Sequence, residues 1–220
     1  MSKLRLEFIK EGPAAYISHL DLLRTIQRAF PRTGMNIKHS QGYHPHPIIS
    51  IVLPLPVGQS SDCELLDFET VEETDGAGIA EKLNTGLPAG LRVRECYPVT
   101  RPVREFTFLR ARLELLYDNG VPAGTADALR ALFARETLMI EKRTKHKELA
   151  QIDIAPLIRE MTLTEQDGSI LADAVVAAQN PGLNPAYLAQ AIERELPSLK
   201  PDFVRVRRTE IYDTEGNVFR

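Results

Sequence analysis

The chain has two cysteines among its 220 residues, Cys63 and Cys96. That is too few, and too separated, for an iron–sulfur cluster, a cysteine-rich zinc site or a disulfide framework. Long hydrophobic runs are missing as well. The longest uncharged apolar stretch, residues 48–58, contains Pro54 and Pro56 and is about half the roughly 20 residues that a membrane-spanning helix needs. The first residues alternate charge with hydrophobe and carry no apolar core of a secretory signal, so a cytoplasmic protein with no membrane contact is expected. There is no G-x-x-x-x-G-K phosphate loop, no G-x-G-x-x-G fingerprint and no H-E-x-x-H. These absences argue against nucleotide hydrolysis and dinucleotide chemistry.

What is present has the balance of a globular protein, with 43% hydrophobic and 26% charged residues. The net charge of −3 excludes a protein that coats nucleic acid by bulk charge. The distribution is uneven, however. Residues 1–50 hold seven Lys and Arg against three acids, whereas residues 51–81 hold eight acids and no Lys or Arg. A basic face and an acidic face are expected.

Periodicity gives the element order. Leu4, Leu6 and Phe8 alternate with Lys3, Arg5 and Glu7, the pattern of a half-buried strand. Ser18 and Asp21 mark a helix start, and Leu20, Leu23, Ile26 and Phe30 recur at helical spacing until Pro31 and Gly34 stop the helix. Strands are expected at 35–40, 48–54 and 63–72, a helix at 75–87 and a strand at 91–97. After a linker at 100–104, the second half reads as a strand at 106–117, a helix at 125–135 and strands at 138–143 and 170–178. A helix capped by Asn184 and a closing strand from Phe203 follow, with extra material near 148–165. The predicted fold is α+β, two tandem ferredoxin-like (β-α-β-β-α-β) domains at 1–99 and 105–220.

Four of the five histidines lie before residue 47. His19 falls in the first turn of the first helix, beside free N–H groups that favour an anion, and Arg24 and Arg28 extend a basic stripe along it. Ser40-Gln41-Gly42-Tyr43-His44-Pro45-His46-Pro47 forms a loop in which glycine permits a turn and the prolines stiffen the backbone. Ser18, His19, Asp21, Arg24, Arg28, Ser40, Gly42, Tyr43, His44 and His46 are therefore candidate ligand-binding residues. Imidazoles at this spacing match no standard zinc pattern, so no metal ion, cofactor or catalytic residue is assigned. His19 with His44 and His46 would nevertheless be the groups of a metal-independent endoribonuclease or a metal-dependent hydrolase, should the chain be an enzyme. A second basic cluster, Lys142, Arg143, Lys145 and Lys147, could share a sheet surface with Arg205 and Arg207 of the closing strand and contact RNA phosphates, although no aromatic platform accompanies it.

The segments Tyr16-Ile17-Ser18-His19-Leu20-Asp21, Ser40 to Pro47 and Pro54-Leu55-Pro56-Val57-Gly58 together resemble the radical-SAM-linked protein family, a bacterial domain of unknown function. In that family a Ser-His-Leu-Asp segment precedes an arginine-bearing helix, followed by a Ser-x-Gly-Phe/Tyr-x-Pro-x-Pro loop and a Pro-Leu-x-x-Gly element. Phe30-Pro31 departs from it where an arginine would continue the helix. Members are fused to, or encoded beside, a radical SAM protein, often near genes for RNA processing. The resemblance implies an accessory RNA-binding protein that works on structured RNA with a separately encoded radical SAM protein, or a structural partner of that protein without RNA contact. Two isolated cysteines cannot supply the three thiolates of the required cluster, so any radical chemistry belongs to the other chain.

Overall fold

The computed structural model describes residues 2–143 and 149–220. The chain is α+β and divides into two compact units, Met1–Glu105 with Arg220, and Phe106–Phe219.

The first unit runs β1 (Lys3–Lys10), α1 (His19–Arg32), β2 (Ile49–Ile51), β3 (Ser60–Glu69), α2 (Ile79–Asn84) and β4 (Leu91–Pro98). Its strands lie in the order β4-β1-β3-β2, each pair antiparallel. The second runs β5 (Phe106–Leu116), α3 (Thr125–Phe133), β6 (Met139–Arg143), β7 (Leu149–Asp153), β8 (Ile158–Gln166), β9 (Ser169–Ala177), α4 (Ala186–Glu195) and β10 (Phe203–Asp213). Here the order is β10-β5-β9-β8, again antiparallel throughout, and β6 pairs with β7 as a separate two-stranded sheet. With the β6–β7 insertion set aside, each unit repeats one connectivity and one strand order.

Three expectations need correction. Residues 35–40 form no strand; Ile37 and His39 make only isolated bridges, to Thr70 and Pro47. α1 passes through Pro31 to Arg32, because a proline in the final turn removes only one helical N–H; Gly34, at φ 74°, then ends it. In the second unit the strand beside β9 is β8, within the material read as extra, whereas the 138–143 strand belongs to the separate pair. β8 shows little alternation because it is an edge strand on which only Leu163 is buried.

In the first unit Leu4, Leu6 and Phe8 of β1 pack with Leu66 and Phe68 of β3 against Leu22, Ile26 and Phe30 of α1. The Phe30 and Phe68 ring centroids are 4.9 Å apart. In the second unit Leu109, Ala111, Leu113 and Leu115 of β5 and Ile170, Ala172, Ala174 and Val176 of β9 are buried, as are Leu129, Leu132, Leu188 and Ile192 of the helices. Period-two burial thus fixes one core face per sheet.

The opposite faces differ. β1 is not half-buried: every residue from Leu4 to Lys10 is buried, including Arg5, Glu7 and Lys10. Arg5 forms a two-pronged pair with Asp67 on the neighbouring strand, at 2.6 and 3.0 Å, and also donates to the Arg101 carbonyl. Glu7 is held by Arg220 at 2.8 Å and Arg94 at 3.6 Å. Lys10 donates to the Ala15 carbonyl at 2.9 Å, and burial pushes the pKa of its ammonium down while Glu64 nearby opposes this. Charges buried to this degree persist only when so compensated. On β5 the corresponding positions are Arg110, Arg112 and Glu114, and they remain partly exposed.

Candidate nucleic-acid interface

The start of α1 forms as the sequence implies. Ser18 is the N-cap: its hydroxyl oxygen accepts from the Asp21 backbone N–H at 3.2 Å and donates to the Asp21 carboxylate at 2.7 Å. The Ser18 hydroxyl, and after it Arg24, holds the Asp21 carboxyl below the usual carboxylate range. Arg24 is thereby engaged, 3.3 Å from Asp21. Arg32 donates to the Gly86 carbonyl, which leaves Arg28 as the exposed residue of the stripe with no side-chain partner among the described residues. His19 is exposed and likewise makes no side-chain hydrogen bond with a described residue.

Residues 40–47 form a projecting hairpin. Ser40 N–H donates to the His46 carbonyl and Ile48 N–H to the Lys38 carbonyl, while Gly42 takes φ 143° at the tip. Tyr43 is 95% exposed, its ring edge-on to His44 at 5.1 Å. Ser40 Oγ accepts from His46 N–H at 3.1 Å and lies 2.9 Å from His46 Nδ1. At His39, Nδ1 lies 2.9 Å from the Ile37 carbonyl and donates to it. Clefts of about 480 and 360 Å³ flank this segment; Pro47 lines both, His39 the larger and His46 with Lys3 the smaller.

His19 does not join this loop. It stands where β1 ends, since Lys10 Nζ donates to Ala15 and Gly58 N–H also donates to Ala15. The loop belongs to the other end of β1: His46 shares its cleft with Lys3 and Glu69. The 14 residues of α1, about 20 Å of helix, lie between the two places in the chain. Among the described residues no group of three or more His, Cys, Asp or Glu could hold a metal ion. One site built jointly from His19, His44 and His46 is therefore not formed. The cysteines offer no nucleophile either: Cys63 is buried, and burial, with Asp75 nearby, pushes the Cys96 thiol up to about 12.

The basic cluster of the second unit also divides. Lys142 and Arg143 lie on β6, outside the sheet that contains β10, so they do not share its surface with Arg205 and Arg207. Lys142 stands over the Tyr187 ring instead, at 5.8 Å. Lys145 and Lys147 fall outside the described residues.

Arg205 and Arg207 do have company on their own sheet. Register places Arg205 opposite Glu114, Arg207 opposite Arg112, Glu210 opposite Arg110 and Tyr212 opposite Phe108. On the far side of β5, Arg112 faces Asp173. The face turned away from the core of the second unit thus bears Arg110, Arg112, Arg205 and Arg207. Arg159 joins them, its guanidinium 4.6 Å from the Phe108 ring centroid, and Arg110 lies 5.8 Å from that of Tyr212. Burial, the largest influence, pushes the Tyr212 phenol up, so it is a neutral donor at physiological pH. Carboxylates interleave: Arg110 approaches Asp173 at 3.2 Å and Glu160 at 3.7 Å, Arg112 approaches Asp173 at 3.6 Å, and Arg205 approaches Glu114 at 3.0 Å. Such exposed pairs are weak, and phosphate can compete for the guanidiniums. Sequence reasoning missed Phe108, Tyr212, Arg110, Arg112 and Arg159. The signal for the aromatics was their parity with Arg110 and Arg112 on β5 and with the arginines of β10 once the bulge near Arg208 is counted.

No helix among the described residues is long and apolar enough to cross a membrane. No curated protein matches the chain. Among solved structures it is similar to a chain in the crystal structure of a Cbf5-Nop10-Gar1 complex, at 12% identity and a TM-score of 0.49, with 94% of this chain and 48% of that one covered. The chain therefore spans about half the length of that relative. It is also similar to an unknown protein from Galdieria sulphuraria, at 12% identity and a TM-score of 0.28, covering 94% of this chain and 98% of that one. A bacterial family is matched over residues 3–185, and the chain belongs to it: the family described as "Uncharacterized protein conserved in bacteria (DUF2344)".

Proposed function

We propose that this is a cytoplasmic, non-catalytic RNA-binding protein, built from two ferredoxin-like modules, that presents a structured RNA to a separately encoded radical SAM protein. The repeated β-α-β-β-α-β connectivity with identical strand order supports the ferredoxin-like reading of each unit. The observation that carries the function is the partly exposed sheet face of the second unit, where Arg110, Arg112, Arg205 and Arg207 share a side with the half-buried Phe108 and Tyr212. Guanidiniums contact phosphate bidentately and stack on bases, so arginine suits this surface better than lysine would. The Ser40–His46 hairpin, with Tyr43, His44 and His46 exposed, offers a second contact on the first unit. The radical SAM partner rests on the motif resemblance and on a chain whose two cysteines cannot bind the cluster. The endoribonuclease and metal-hydrolase alternatives lose support because His19 and the His44–His46 loop lie toward opposite ends of β1.

The test is binding of bulk bacterial transfer and ribosomal RNA to the full chain across a salt series. Four neutralised phosphates predict an apparent association constant that falls with a log–log slope of about −3. Binding that ignores salt, or no binding, would leave only the structural-partner reading. RNA cleavage abolished by His19→Ala would instead make the chain an enzyme.

A further inference from the structure

The open face of the second unit has a feature that phosphate binding alone does not use. Phe108 and Tyr212 are direct partners across β5 and β10, which sets their Cβ atoms roughly 5 Å apart on one side of the sheet. Each half-buried ring has a guanidinium beside it: Arg159 lies over Phe108 at 4.6 Å, and Arg110 stands 5.8 Å from Tyr212. Arg110 also contacts Asp173 at 3.2 Å and Glu160 at 3.7 Å. Arg159 is exposed and the Arg110 side chain is 40% exposed, so each guanidinium is within reach of an incoming phosphate.

Resting on the RNA reading above, we propose that this face takes unpaired nucleotides: two bases of a single-stranded RNA segment stack on Phe108 and Tyr212 as Arg159 and Arg110 move from the rings to the flanking phosphates. A duplex hides its base faces in its own stack and offers a flat sheet only phosphates and hydroxyls. Unpaired bases have free faces, and a base stacked on an aromatic ring outweighs an exposed guanidinium contact with it. The exchange also conserves the useful groups, because the displaced guanidiniums arrive beside the phosphates that the bases bring. Arg112 and Arg207, opposite one another on the same strands, continue the cationic track. The specificity is for unpaired structure, loops and ends, with little preference among bases, since every base offers a face to stack.

The experiment compares a uridine oligomer of about eight nucleotides with an RNA duplex of equal phosphate number, at one salt concentration, on the full chain. The oligomer should bind about tenfold or more tightly than the duplex. Because the protein has no tryptophan, tyrosine emission should fall on adding oligomer and stay constant on adding duplex. Phe108→Leu with Tyr212→Leu should remove the preference while keeping the salt slope, whereas Arg112→Glu should weaken both RNAs. Equal binding of oligomer and duplex, or undiminished oligomer binding by the leucine pair, overturns the stacking proposal and leaves the RNA reading standing. Absence of binding to either RNA overturns both. Should the leucine pair fail to melt cooperatively, a 4-thiouridine oligomer crosslinked to the wild-type chain decides: adducts on Phe108 or Tyr212 support stacking, and adducts confined elsewhere overturn it.

Discussion

The two units share a strand order and a helix arrangement, yet the faces of their sheets away from the core are used in opposite ways. In the first unit that face is sealed, and its charges are structural: Arg5 is fully buried against Asp67, and Glu7 is clamped by Arg220 and Arg94. In the second unit the same positions carry Arg110 and Arg112, whose side chains are 40% and 52% exposed and whose shared partner Asp173 is 28% exposed. A desolvated pair is locked, because breaking it strands a charge. A solvated pair is exchangeable, and an incoming phosphate finds the guanidinium already positioned. One connectivity therefore yields a face whose charges are buried in pairs and a face whose charges stay partly exposed, and it is the second that we propose binds RNA.

That contrast predicts a ranking of effects. Arg5→Ala should be the most damaging single change, lowering stability by roughly 3–5 kcal/mol, since it leaves Asp67 buried without its counter-charge. Thermal or denaturant unfolding reads this directly; a loss under about 1 kcal/mol would erase the distinction between the faces. Next, Arg112→Glu combined with Arg207→Glu should cost tenfold to hundredfold, roughly, in affinity for RNA and flatten its salt dependence, with the melting curve nearly unchanged.

Ser18→Ala comes third, at about 1 kcal/mol for loss of the helix cap. It also has a pH signature through Asp21. A carboxyl held low in the folded state stabilises above its unfolded value near 3.9, and that contribution vanishes as pH falls through the folded value. The wild-type chain should therefore lose this part of its stability only below about pH 4, and the alanine variant should show less of that acid-side decline. Smallest of all, a double-mutant cycle on Arg205 and Glu114 should give a coupling of only about 0.2–1 kcal/mol.

Much of this fold was legible in the sequence because local signals agreed with tertiary structure. The Ser18 cap and the alternation in β5 each fix an element without reference to distant residues, whereas the apolar stripe of α1 was legible only in part: Ile26 and Phe30 are buried, but Leu20 is 60% exposed and Leu22 is buried instead. β8 was illegible, since an edge strand of mostly polar side chains presents no alternation, and residues 35–40 looked like a strand although their backbone bonds are scattered. The site was harder still. Lys3-Leu4-Arg5-Leu6-Glu7 and Leu109-Arg110-Ala111-Arg112-Leu113-Glu114 have the same binary pattern, and nothing local says which set of charges will be buried. Likewise, His19 and His46 are close in sequence and similar in chemistry, but a helix about 20 Å long intervenes. Phe108 and Tyr212, more than a hundred residues apart, meet only through the β5–β10 register.

Arginine-selective modification of the full chain, with and without bulk transfer RNA and read by mass spectrometry, tests the central claim most directly. The account predicts protection of Arg112, Arg205 and Arg207 on the open face of the second unit, with Arg28 of α1 modified equally in both samples. Protection of Arg24 and Arg28 with none at Arg112 or Arg207 would contradict it and move the interface to the first unit.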